Sequence, residues 1–325
     1  MKNFQYGKPT SLEQAAAFLG KGDPNVYVMG GGTDLLGEIK EGLVAPAIVI
    51  DLKAVPGLAY IKKDKEGLAI GALTTITELA GDAGIQKDYR ALHEAAKAVA
   101  SPQLRNMGTI GGNLCQRPRC WYYRDARVVC SKKGGSQCYA AKGRNKYHAI
   151  FAGGICYAVC PSDLAPALIA LDGKVAISSA KGERTVPLAE FFMPPIVNVR
   201  KENILNGQEI VKEIRVPPAK PNEKSSYLKF IERGSWDFAV VSAAVRAVLS
   251  GTTVEDIRIV CGGVAPVPWR MKKAEDALKG RKATEAAGRQ AAKIALKEAA
   301  PLAENGYKVE VLETIIARAI AALGK

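Results

Sequence analysis

Histidine is almost absent from this sequence: among 325 residues only His93 and His148 carry an imidazole. That leaves little for a histidine-built metal cage, and no Ser-His-Asp set is visible for nucleophilic hydrolysis. Aromatic residues are scarce too, at 6%. Nucleic-acid readers interleave a compact basic motif with aromatic stacking residues, whereas here Lys and Arg are spread along the chain. No run approaches the ~18 uninterrupted apolar residues of a membrane span, and the first nine residues lack the apolar core of a signal peptide. The expectation is a soluble, cytoplasmic protein with no membrane span. Neither GxGxxG nor a Walker A spacing occurs, which argues against a Rossmann dinucleotide site and a P-loop nucleotidase.

What is present is ordinary in bulk: 48% hydrophobic and 24% charged residues, the balance of a globular protein. The length exceeds the roughly 250–300 residues at which one core stops growing, so more than one domain is expected. The formal charge of +14 has two readings. One is a nucleic-acid or membrane surface; the other is a subunit whose basic face meets an acidic partner or an anionic cofactor. Cysteine is the most uneven residue. Cys115, Cys120, Cys130, Cys138, Cys156 and Cys160 fall in one short span and Cys261 stands alone. In a reducing compartment such a cluster points to metal or redox chemistry rather than disulfides.

Periodicity gives a coarse outline. Ser11 and Gln14 make a helix start for Ala15–Leu19. The strand Val26–Met29 runs into Gly30-Gly31-Gly32-Thr33-Asp34, then a helix over 35–41 and a strand over 47–51, a small βαβ-like unit. Two short strands flank a turn at 63–67, helices follow at 77–81 and 89–100, and 101–113 is rich in turn residues. Strands are expected at 174–178, 183–187, 209–217, 227–231 and 257–261, and 238–249 is a strand or a buried helix. The prolines of 217–222 mark a linker. Helical patterns occupy 274–278, 283–299 and 309–323.

Two glycine turns carry the ligand-binding signal. Gly30-Gly31-Gly32-Thr33 offers bare backbone amides to a phosphate beside a helix start. Gly108-Thr109-Ile110-Gly111-Gly112-Asn113 repeats the offer, with Thr109 and Asn113 adding side-chain hydrogen bonds. Alone, either is a plain turn; together they suit a ligand with a long anionic linker, and FAD has one.

The motifs Met29-Gly30-Gly31-Gly32-Thr33-Asp34-Leu35, Ile70-Gly71-Ala72-Leu73-Thr74-Thr75, Arg105–Asn113, Pro161-Ser162-Asp163-Leu164 and Trp236-Asp237-Phe238-Ala239 occur in one order. With Ile257–Cys261 running into Gly262-Gly263-Val264-Ala265-Pro266, they resemble, over essentially the whole chain, the FAD-binding medium subunit of the xanthine dehydrogenase, carbon-monoxide dehydrogenase and 4-hydroxybenzoyl-CoA reductase family. The resemblance implies an α+β architecture: a two-subdomain FAD-binding fold of the vanillyl-alcohol-oxidase-like type over 1–218, with subdomains of about 1–56 and 57–218, and a C-terminal α/β flavoprotein domain over 219–325. It implies that the backbone from Val28 and Met29 through Gly30, Gly31, Gly32 and Thr33 to Asp34 holds the FAD pyrophosphate, assisted by Thr109, Gly112 and Asn113. Ala100 would lie near the flavin, Asp163 would accept a hydrogen bond from it, and Lys229 would sit beside the isoalloxazine. Asp163 also suits an N-cap for the helix opening at Leu164, and a strand lysine is commonly a solvated one.

The segment of about 114–160 is long for a loop in a compact domain. Its cysteine spacings are not the CxxC pairs of zinc ribbons or bacterial ferredoxins, so by spacing alone zinc and iron–sulfur both stand. The resemblance includes a branch whose loop ligates a [4Fe–4S] cluster. Cys120, Cys130 and Cys138 match its first three ligands, and Cys156 is assigned as the fourth. In the reductase-type pattern the fourth cysteine lies earlier, near Lys146-Tyr147-His148, where this sequence has none; Cys115 and Cys160 are the alternates. The same loop is basic, with only Asp125 against nine Lys and Arg between Arg117 and Lys146. The implied role is an electron-transferring oxidoreductase subunit with no substrate chemistry of its own. It would partner a molybdenum-cofactor large subunit and a small [2Fe–2S] subunit, and exchange electrons with an external carrier such as NAD or a ferredoxin. The rival reading from charge and cysteines is a zinc-dependent nucleic-acid-binding protein.

Overall fold

The computed structural model describes residues 2–20 and 22–324. The helix Leu12–Leu19 begins as its cap residues dictate. Ser11 Oγ accepts the Gln14 N–H at 3.2 Å, and Gln14 Oε1 accepts the Thr10 N–H at 2.8 Å. Strands Gln5–Gly7, Ile48–Asp51 and Val26–Met29 form a parallel sheet in that spatial order. The helix Leu35–Lys40 links the last two as the expected βαβ unit. A second sheet is antiparallel throughout, in the order Ile61–Asp64, Gly67–Gly71, Ile210–Val216, Lys174–Ser179, Gly182–Pro187. Its Leu68, Ile70, Val175 and Ile214 share one core with Leu92 and Leu168 of the helices Arg90–Ala98 and Leu164–Ala170.

The third sheet, Trp269–Arg270, Thr253–Gly262, Val241–Ser250 and Glu223–Phe230, is also antiparallel. Successive side chains point to opposite faces. Ala243, Val245, Ala247, Ile257 and Ile259 therefore pack beneath the helices Lys272–Leu278, Glu285–Leu296 and Tyr307–Ala321. Tyr227, Ala244 and Val260 join the core of the second sheet through the helices Arg90–Ala98 and Leu164–Ala170. Both faces are thus buried, which is why 238–249 read as either strand or buried helix: a strand covered on both sides loses its polar alternation. It is the strand Val241–Ser250.

One stretch differs from expectation. The turn-rich 101–113 folds as two helices, Pro102–Met107 and Ile110–Cys115. Ser101 Oγ caps the first through Leu104 N with Pro102 at its opening position, and Thr109 Oγ1 caps the second through Gly112 N at 3.2 Å. Both are regular N-cap chemistry, masked by glycine and proline content. Gly111 serves packing: a Cβ there would lie 2.9 Å from the Ala72 carbonyl oxygen. The cysteine-rich segment holds no strand, only the helix Trp121–Arg124 and single turns at Ser131–Lys133 and Tyr139–Ala141. It is nonetheless packed, since a Cβ at Gly135 would overlap the Val129 carbonyl and one at Gly153 the Tyr157 ring.

Candidate functional site

One cleft gathers most of the motif residues. It is lined by Val28, Met29, Gly30, Gly31, Gly32, Thr33 and Asp34, by Ala100, Thr109, Gly112 and Asn113, and by Asp163. Trp236, Asp237 and Phe238, from the connection between Glu223–Phe230 and Val241–Ser250, complete it. The two glycine segments are not separate nests, for they pack on each other. A Cβ on Gly30 would stand 2.9 Å from Thr109 Oγ1, and one on Gly31 would overlap the Met107 carbonyl. Gly32 adopts φ +76°, a left-handed conformation that L side chains rarely hold. The result is a cradle of bare backbone that a side chain would fill.

Two non-glycine residues beside it are also left-handed, Ala100 at φ 44° and Trp236 at φ 54°. They are tied together, the Trp236 N–H donating to the Ala100 carbonyl at 3.2 Å. Each such residue costs on the order of 1 kcal/mol, and strain of this kind collects where function imposes it.

Lys229 stands behind the cleft. Its ammonium donates to Asp163 Oδ2 at 2.7 Å, to the Ala98 carbonyl at 3.0 Å and to the Asp237 carbonyl at 2.8 Å, so all three protons are taken. Tyr227 donates its hydroxyl to the other oxygen of Asp163 at 2.7 Å. Burial pushes the Asp163 carboxyl up from its ordinary range, against the pull of Lys229 and Tyr227. Asp163 does not cap the helix after it. Ser162 does, its Oγ accepting the Ala165 N–H at 3.0 Å.

Sequence reading placed Arg117, Arg119 and Arg124 in the basic loop but did not foresee that they meet Asp34 at this cleft. Asp34 Oδ1 receives Arg119 Nη1 and Arg124 Nη2, each at 2.7 Å, and Asp34 Oδ2 receives the Arg117 N–H at 2.6 Å. Arg117 itself pairs with Glu202 at 2.6 Å, as Lys132 does at 2.5 Å. Arg144 pairs with Glu304, and Lys146 with Glu232. The basic loop is therefore matched by acids from distant parts of the chain. Its positive field is weaker than its own composition suggests.

Cys138 and Cys156 are hydrogen-bonded through their side chains, which lowers the Cys138 thiol to about 6 and raises that of Cys156. Cys120 is held up at about 11 by burial, with Cys138 and Cys130 among the charges that act on it. Its Sγ lies 3.2 Å from His148 Nε2. The other imidazole nitrogen, Nδ1, is buried without a partner, and burial lowers His148 to about 4. Cys115 and Cys160 are each pushed to about 12 by burial, with no second cysteine acting on either. Among the described residues no three His, Cys, Asp or Glu side chains converge as a single-ion site, and no helix is long and apolar enough to cross a membrane.

Comparison with known proteins returns flavin subunits. Residues 2–219 match the FAD binding domain in molybdopterin dehydrogenase, and residues 226–323 match the CO dehydrogenase flavoprotein C-terminal domain. The FAD-binding subunit of an aldehyde oxidoreductase of Escherichia coli (strain K12) is 35% identical over 99% of this chain and 98% of its own. The carbon monoxide dehydrogenase medium chain of Hydrogenophaga pseudoflava is 29% identical over 98% of this chain and 96% of its own. A solved carbon monoxide dehydrogenase from that organism aligns with a TM-score of 0.78 at 28% identity, covering 99% of this chain and 97% of that one. These similarities leave the zinc-dependent nucleic-acid-binding alternative without support.

Proposed function

This chain belongs to the family of FAD-binding domains of molybdopterin dehydrogenases and is a flavin-containing oxidoreductase subunit of the molybdenum hydroxylase type; from that premise we propose that the cleft beneath Gly30-Gly31-Gly32 holds the FAD. The observation that carries this assignment is convergence: motif residues scattered from Val28 to Asp163 line one cleft, together with Trp236, Asp237 and Phe238. Bare backbone fits a pyrophosphate, because amide donors can approach it with no Cβ between them. Bound FAD supplies the capacity to exchange electrons singly or in pairs. The chain's own residues do the rest. Thr109 and Asn113 add side-chain donors, the Ala100–Trp236 tie shapes the opening, and Asp163 offers a carboxylate fixed in place by Lys229 and Tyr227. Lys229, having no free proton to donate, acts by orienting Asp163.

The cysteine-rich segment is assigned a [4Fe–4S] cluster held by Cys120, Cys130, Cys138 and Cys156. Supporting this are the hydrogen bond between Cys138 and Cys156 and the action of Cys130 and Cys138 on Cys120, while no second cysteine acts on Cys115 or Cys160. Four thiolates suit such a cluster. The complete enzyme would add a molybdenum-cofactor large subunit and a small [2Fe–2S] subunit, with an external carrier such as NAD or a ferredoxin beyond the flavin.

Both assignments are testable on one preparation made without oxygen. Wild type should show flavin bands over a broad iron–sulfur shoulder. Replacing any one of Cys120, Cys130, Cys138 or Cys156 by Ser should take iron toward zero, while Cys160→Ser leaves it. Zinc in place of iron would sink the cluster, and loss of iron in Cys160→Ser but not in Cys156→Ser would move its fourth ligand. A protein without flavin would sink the cleft assignment.

A further inference from the structure

We propose that the cysteine-rich segment is part of the FAD site itself. In this reading Arg119 and Arg124 neutralise Asp34, so that a diphosphate can lie against the glycine cradle. The inference rests on the cleft being the FAD site. Asp34 directly follows Gly30-Gly31-Gly32-Thr33 and lines the cleft, where its carboxylate would repel a ligand carrying two phosphates. An aspartate in this position ordinarily turns back to cap the helix it precedes. Here it makes no side-chain cap bond to the helix Leu35–Lys40. Instead the carboxylate faces the cysteine-rich segment and takes two guanidinium contacts at 2.7 Å and a backbone N–H at 2.6 Å.

The other carboxylates lining the cleft have partners of their own: Asp163 has Lys229, Glu38 has Tyr123, and Asp237 has Arg233. The cysteine-rich segment answers both Asp34 and Glu38, but Asp34 takes two guanidinium contacts at 2.7 Å, whereas Glu38 takes the Tyr123 hydroxyl and stands 4.0 Å from Arg117. Arg119 also lines the cleft, and its guanidinium sits over the Phe238 ring at 5.0 Å. Its side chain is about a quarter exposed and that of Arg124 less, so solvent screens these contacts little. Cys120 lies between the two arginines in sequence and opens the helix Trp121–Arg124. Whatever fixes Cys120 therefore fixes the clamp on Asp34, and the two cofactor regions are mechanically joined.

The test is FAD rebinding to flavin-stripped protein, followed by flavin fluorescence, with riboflavin as a probe that lacks the diphosphate. Arg119→Gln and Arg124→Gln should each weaken FAD at least tenfold and riboflavin by less than threefold. Adding Asp34→Asn to Arg124→Gln should recover most of the FAD affinity, since the charge needing an answer is then gone. Asp34→Asn alone should bind FAD as tightly as wild type or tighter, which keeps the proposal testable if an arginine variant does not fold. Arginine variants within twofold of wild type, no recovery in the double variant, or weakened binding in Asp34→Asn alone would each overturn it. Wild type that takes up riboflavin and FAD equally overturns the clamp while leaving a flavin site. Wild type that takes up neither overturns the cleft assignment as well.

Discussion

At Asp163 a carboxylate is enclosed by a lysine and a tyrosine, and the consequences follow from charge balance. Both side chains of the Asp163–Lys229 pair are about 5% exposed, so deleting one partner leaves the other charged in a poor solvent. Lys229→Met should cost ~3–5 kcal/mol, the usual penalty for breaking a buried pair from one side. The loss should depend on pH. With Lys229 gone, the folded-state carboxyl lies further above its unfolded value of about 3.9, so the native state binds more protons than the unfolded one. Stability of the variant should therefore be nearest to wild type below about pH 4 and fall further behind as the pH rises. Urea unfolding across that range checks the sign; a gap that narrows toward neutral pH would contradict it. The glycine cradle gives a second prediction at this scale. Gly31→Ala forces a methyl into the Met107 carbonyl, so flavin content should drop well below wild type even where circular dichroism reports a folded chain.

Among the elements, the cysteine-rich segment carries the most long-range consequence. Lys308, fully buried on the helix Tyr307–Ala321, donates to the carbonyls of Tyr147, His148 and Gly263 at 2.7, 3.0 and 2.8 Å. Asn305 adds bonds to the carbonyls of His148 and Ala149. Lys308→Met should strand the Tyr147 and Gly263 carbonyls at ~1–3 kcal/mol apiece, Asn305 still holding that of His148. Protease should then cut near 146–148 much faster than in wild type, while the core helices resist. Equal cutting of both proteins would show that Lys308 does not hold the segment.

Much at this scale was legible beforehand. Ser11 with Gln14 announced its helix, the triple glycine announced the turn after Val26–Met29, and the motif residues pointed to one site. The helices at 102–107 and 110–115 were not legible, because glycine and proline that read as turn formers sit there at caps and close contacts. Nor was the Asp34 network, since Arg119 and Arg124 lie far from Asp34 in sequence and only the fold brings them together.

For the molecule as a whole, a flavin carrier without substrate chemistry has no use in isolation. The chain should purify from its source with one larger and one smaller redox subunit, and a fully active single chain would contradict that. Ile196 and Val197, at 79% and 69% exposure on the short helix Pro195–Asn198, are strongly exposed aliphatic residues. Ile196→Glu should release a partner without lowering flavin content, as gel filtration of the complex would reveal.

Sequence comparison cuts this chain in two, between residues 219 and 226. The third sheet opposes that cut. One of its faces belongs to the C-terminal helices and the other to the core of the preceding unit, so neither half can close its interior alone. Domains that meet over small polar interfaces melt one after the other; here the shared core binds them into one cooperative body. Scanning calorimetry of the flavin-free chain should accordingly give a single endotherm whose van't Hoff and calorimetric enthalpies agree, and a chain ended at residue 219 should aggregate rather than fold.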